Sequence, residues 1–126
     1  MLTILVISMG GMIRIYDAGE SCPDWPTCFG TWGFDISKEE QGEWWEENPD
    51  EADSRGSGHR YSSFQIFTEW FHRLLAGAFV GPLVILNWLL IRKEAWTSSR
   101  VRGVSSLTLG LILWQGAIGW LTVKMD

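Results

Sequence analysis

The chain has 126 residues, of which 46% are hydrophobic, with a mean hydropathy of +0.03 and a net charge of −5. Twelve of the fifteen acids but only four of the ten bases lie between Arg14 and Ser63, so that stretch carries −8 and the remainder +3. The acidic balance without a basic stripe excludes a nucleic-acid binder, and three long runs free of ionisable side chains exclude a soluble globule.

Residues 1–13 (MLTILVISMGGMI) form the first charge-free run. As a helix they rise about 20 Å, less than the roughly 30 Å of a bilayer core. A signal peptide would explain the run, but it has no basic leader and no small-x-small cleavage site. The expectation is a first transmembrane helix, short or truncated. Arg14 at its end is placed to meet lipid phosphate or a propionate.

Residues 14–63 form a long acidic loop in two parts. Residues 16–34 (YDAGESCPDWPTCFGTWGF) are dense in Gly, Pro, Cys and aromatics, which predicts a compact, shaped segment. Residues 35–63 are acidic and punctuated by Gly and Ser, which predicts a solvated, mostly disordered insert. His59 is expected to be solvated there, and the Trp44-Trp45 pair is left either in solvent or at the membrane surface. Cys22 and Cys28, the only cysteines, flank P-D-W-P-T. On an exported loop the default is a disulfide. It would serve as a structural staple or as a redox pair, and both readings stand. Two thiols without neighbouring His or Cys do not make a zinc site.

Residues 64–91 are the second predicted transmembrane helix. Leu74–Ile91 holds 18 uncharged residues, with Gly81-Pro82 as a tolerated kink. At its outer start, E-W-F-H-R places Glu69, His72 and Arg73 on one side of the helix. Ionisable groups at a membrane edge are functional candidates by default. Imidazole ligates haem iron, and a carboxylate one turn away can accept or deliver protons. A merely anchoring interfacial turn is the plain alternative.

Residues 92–102 hold Arg92, Lys93, Arg100 and Arg102 against Glu94 alone. The positive-inside rule puts this loop in the cytoplasm, and residues 14–63 and 124–126 outside. Residues 103–123 are the third predicted span. Thr108, Gln115, Gly119 and Thr122 line one face of it, for a cofactor or simply for another helix. The fold class is an all-α integral membrane protein with three transmembrane helices.

Four blocks, M-G-G-M-I-R, A-G-E-S-C-P-D-W-P-T-C-F-G, E-W-F-H-R-L-L-A-G and Q-G-A-I-G-W-L-T-V, resemble the haem A synthase family of cytochrome oxidase assembly. They cover roughly residues 9–34 and 66–123, and the C-P-D-W-P-x-C block is the specific one. The resemblance implies a four-helix haem-binding bundle unit, of which about three helices are present here. It implies oxidation of a methyl group of haem O to the formyl group of haem A, with haem b as cofactor. His72 matches a haem-iron ligand of the family, Glu69 its transmembrane carboxylate and thus the catalytic candidate, and Cys22 and Cys28 its external pair. Arg14, Arg73 and Gln115 are the further candidate cofactor contacts. The family's second ligating His lies on a fourth helix, so self-association or a second chain is expected to supply it. Residues 35–63 are longer and more acidic than the family's usual loop. Membrane lipid, haem O and a haem O-producing enzyme are the implied partners, in a prokaryotic plasma membrane or an equivalent energy-transducing membrane. The competing readings are a non-catalytic membrane haem-binding or assembly protein, an inactive fragment, or a membrane thiol–disulfide protein.

Overall fold

The structure is a computed structural model that describes residues 1–51 and 54–125. The described residues form four helices. The first, α1 (Leu2–Ile15), contains only apolar and small residues until Arg14. It ends where Asp17 takes a positive φ of 54° and the Ala18 N–H closes back onto the Ile13 carbonyl at 2.9 Å. Fourteen residues rise about 21 Å, and α1 is shorter than the other two apolar helices.

The described part of the acidic insert, residues 35–51 and 54–63, is folded onto the rest of the loop, which corrects the disorder expected from its composition. Helix α2 spans Lys38–Glu47. Ser37 caps it: its hydroxyl accepts the Glu40 N–H at 3.1 Å, and its own N–H donates to Glu40 Oε2 at 2.6 Å. This reciprocal box satisfies two of the donors a helix start leaves free. One face of α2 then buries Gln41 and Trp45. The Gln41 amide replaces a strand partner for Tyr61, accepting its N–H at 2.9 Å and donating to its carbonyl at 3.0 Å. Trp45 joins Cys22, Cys28, Phe29, Ile36, Tyr61 and Ile66 in the buried core, with Trp44 packed against it. The Trp pair therefore belongs to this core rather than to free solvent or the membrane surface. His59 is not simply solvated either, because its ring packs edge-on against Tyr61, centroids 4.6 Å apart. Arg55 pairs with Asp17 and lies over the Tyr61 ring, so the far end of the insert is clipped back to the end of α1.

Helix α3 runs from Ser63 to Lys93. Ser62 and Gln65 form a second capping box at its start. Between Leu75 and Val80 it widens into a π-helical turn, in which the Gly81 N–H reaches the Ala76 carbonyl. The ring of Pro82 would clash with the carbonyl four residues back in a regular helix, and the wider turn relieves that conflict. The disturbance expected at Gly81-Pro82 thus takes this form. Helix α4 (Ser99–Met125) turns back along the Gly81–Lys93 half of α3. The Trp88 indole N–H donates to Ser106 Oγ at 3.0 Å between them. Both α3 and α4 are long and apolar enough to cross a membrane, and almost none of their apolar stretch is buried within the chain. Lys124 at the end of α4 lies 3.6 Å from Glu51, so the end of α4 and the acidic insert occupy the same end of the molecule.

Candidate functional site

The site forms where the first turns of α3 meet α1 and the Cys22–Cys28 loop. Helix α1 packs on the Ser63–Leu74 part of α3 and on the π turn. Cys22 and Cys28 are joined in a disulfide. Inside that small ring Asp24 Oδ2 accepts the Thr27 hydroxyl and, at 3.0 Å, the Gly30 N–H, while Asp24 Oδ1 is buried with no partner among the described residues. Gly30 has φ +73° here, a conformation that side chains with a Cβ rarely adopt.

Glu69 and Arg73 dock this ring onto α3. Four residues apart, they pair at 2.6 Å with side chains only 7% and 16% exposed. The other Glu69 oxygen, Oε2, accepts the Cys22 N–H at 3.0 Å and lies 2.8 Å from Ser21 Oγ. Arg73 donates to the carbonyls of Asp24 (2.6 Å), Cys22 (3.0 Å) and Thr27 (3.2 Å). The loop therefore presents its main-chain groups to a buried ion pair. Such a pair is tolerable because charged partners and hydrogen bonds replace the lost water.

His72 stands one turn from Glu69 but takes no part in the clamp. Its ring is half-buried and makes no hydrogen bond among the described residues. It rests against α1 at Gly10, where an added Cβ would lie 3.6 Å from His72 Nε2. On the same face of α3 below it follow the small, partly buried Ala76 and the half-exposed Phe79. Among the described residues no three His, Cys, Asp or Glu side chains stand close enough to hold a bare metal ion. An imidazole without a hydrogen bond on an apolar helix face instead suits a metal that arrives in its own planar ligand, as haem iron does.

The remaining candidates divide. Arg14 is exposed and stands one turn beyond Gly10, on the same face of α1. Arg73 is committed to Glu69 and the loop carbonyls. Gln115 is exposed on α4, which among the described residues packs on no helix but the far half of α3, so it is not brought to His72. A cavity of about 490 Å³ also lies away from His72, between Val84 and Asn87 of α3, Val101 and Ser105 of α4, and Leu2 and Thr3 of α1. The sequence reading missed Ser21, the Cys22 main chain and Gly10. Their signals were present, since Ser21 adjoins Cys22 and Gly10 belongs to M-G-G-M.

The whole chain, residues 1–126, matches the COX15-CtaA family, described as cytochrome oxidase assembly protein. Over 98% of its length it is 35% identical to Heme A synthase of Shewanella oneidensis, of which it covers 34%. Over 98% it is 30% identical to a Heme A synthase-mitochondrial ferredoxin fusion protein of Schizosaccharomyces pombe, covering 20% of that protein. Over 94% it is 29% identical to Heme A synthase COX15 of Saccharomyces cerevisiae, covering 25%. The chain thus spans about a third or less of the length of these relatives. No solved structure matches it.

Proposed function

The chain belongs to the COX15-CtaA family of cytochrome oxidase assembly proteins, and from that premise we propose that it forms the His72-bearing part of a haem A synthase. The reaction is the oxidation of a methyl group of haem O to the formyl group of haem A, within the membrane. The observation that carries this reading is the unbonded His72 imidazole, facing Gly10 beside a docked external loop. Relatives named Heme A synthase support it. The fusion of one relative to a ferredoxin, an electron carrier, is in keeping with a redox reaction.

On this reading His72 would hold haem b, whose iron would supply the redox chemistry when bound. Arg14, exposed on the Gly10 face, is the cation placed for a haem propionate. Glu69 has two tasks. It anchors the disulfide loop, and it exchanges a proton near the reacting methyl group. Its Oε2 accepts from both Ser21 and the Cys22 N–H, and Ser21 is the donor able to yield, since its hydroxyl also lies 2.9 Å from the Ala18 carbonyl and 3.1 Å from that of Gln65. Turning toward either opens one acceptor position on Glu69 Oε2, with the Cys22 N–H still in place. The cysteine pair acts as a staple, because both cysteines are buried in the core and Arg73 fixes the ring between them. Residues 14–63 lie on the outer side of a prokaryotic plasma membrane or an equivalent energy-transducing membrane.

The test is conversion of haem O in a host lacking its own haem A synthase, with extracted haems separated by chromatography. A protein carrying this segment should yield haem A. Glu69→Gln should retain bound haem but stop at a less oxidised product. Undiminished haem A from Glu69→Gln would remove the proton-exchange role.

A further inference from the structure

The acidic stretch between Arg14 and Ser63 contains one long run without charge, from Trp25 to Phe34 (WPTCFGTWGF). A main-chain pair between Cys28 and Thr31, at 2.9 and 3.1 Å, fixes its shape. Its far end lies on α3. The Trp70 indole N–H donates to the Trp32 carbonyl at 2.7 Å. The Phe34 ring centroid stands 5.0 Å from that of Phe67 and 4.9 Å from that of Trp70. Phe67, Trp70, Phe71 and Leu74 follow at spacings of three and four, which makes one stripe of the helix. That stripe lies opposite the side that carries Glu69 and His72, so α1 and the Glu69–Arg73 clamp pack elsewhere on α3.

The length of α3 sets the level of this aromatic patch. Arg92 and Lys93 end its apolar run, and the rise from His72 to Ile91 is about 29 Å, close to the roughly 30 Å of a bilayer core. Phe67, Trp70 and the two loop aromatics therefore stand at the rim of the hydrocarbon. There the Trp32 ring is 74% exposed, and its N–H makes no hydrogen bond among the described residues. An indole, with an apolar body and a polar edge, suits a boundary that is dry on one side and wet on the other. We propose that Trp32 and Phe34 seat the Cys22–Cys28 loop in the lipid headgroup layer of the leaflet nearest to it. The uncharged run has its reason here, since a carboxylate at this level would pull the loop toward water. The occupant is lipid because the patch adjoins the span of α3, whose apolar stretch is almost wholly unburied within the chain.

The experiment uses the full chain labelled with fluorotryptophan, in phosphatidylcholine nanodiscs, read by fluorine NMR. The Trp32 signal is assigned by its absence from Trp32→Phe, which keeps a ring at that position. Two relaxation agents are compared: phosphatidylcholine with a nitroxide on its headgroup, and a water-soluble gadolinium chelate. The nitroxide lipid should broaden Trp32 at least about twofold, and more than gadolinium does. Trp45, buried in the core around the disulfide, should broaden less with either. Broadening of Trp32 by gadolinium, with little from the nitroxide lipid, would put the loop in water and overturn the proposal. A Trp32 signal as protected from both agents as Trp45 would mean that a second copy of the chain covers the patch, and would overturn it too. Neither result bears on His72 as a haem ligand, which the haem spectrum tests separately.

Discussion

Glu69 holds Cys22 by its main chain, the Cys22 N–H donating to Glu69 Oε2 at 3.0 Å, while Arg73 grips the Cys22 carbonyl at 3.0 Å from the next turn. The same ion pair thus fastens both ends of one residue's peptide groups. Breaking a buried pair from one side leaves an uncompensated charge and costs about 3–5 kcal/mol. Arg73→Leu should therefore undock the loop and speed reduction of the Cys22–Cys28 disulfide by an impermeant phosphine at least about tenfold. Glu69→Leu should do the same, and the double variant should fall well short of the sum. Equal reduction rates in all four proteins would show that the clamp holds nothing.

The disulfide itself closes a small ring, for which loop-closure reasoning gives about 2–3 kcal/mol. Both its cysteines lie in the core that includes Trp45 of α2. Cys22→Ser with Cys28→Ser should therefore speed amide exchange not only in residues 16–34 but also in α2. Protection of α2 unchanged in that variant would separate the insert from the ring.

Gln41 is buried and serves both main-chain groups of Tyr61. Gln41→Leu keeps the volume but removes the side-chain partner of the Tyr61 N–H and carbonyl, at about 1–3 kcal/mol for each such group. Faster exchange of the Tyr61 amide, by at least about tenfold, is the expected result.

Acid should loosen α2 from its start. The Ser37 N–H and hydroxyl hold the Glu40 carboxyl below its ordinary value. A lowered folded value means the cap contributes fully above the ordinary carboxylate range and is lost as pH falls through the lowered value. Glu40→Gln can keep the reciprocal bonds without the charge. Exchange of the first α2 amides should rise on acidification in wild type and stay flat in Glu40→Gln, after correction for intrinsic exchange rates.

Much of this was legible in the sequence, and the gaps have physical causes. Charge-free runs mark α3 and α4 because hydrocarbon admits few charges. The pair Glu69 and Arg73 follows from helical spacing. The insert did not follow from composition, because its net charge hides two local devices: the S-K-E-E capping box and a Gln at the one position that reaches Tyr61. Nor did spacing show that Arg73 serves loop carbonyls, since main-chain acceptors carry no sequence signature. Gln115 looked comparable with His72 on its own helix, but the packing of α4 on the far half of α3 separates them.

Whether His72 binds haem is the question on which the account turns. The direct measurement is the reduced-minus-oxidised absorption spectrum of membranes holding wild type or His72→Ala at equal protein level. The account predicts a haem b signal in wild type that is lost or shifted in His72→Ala. Full haem occupancy with an unchanged spectrum in His72→Ala would contradict it.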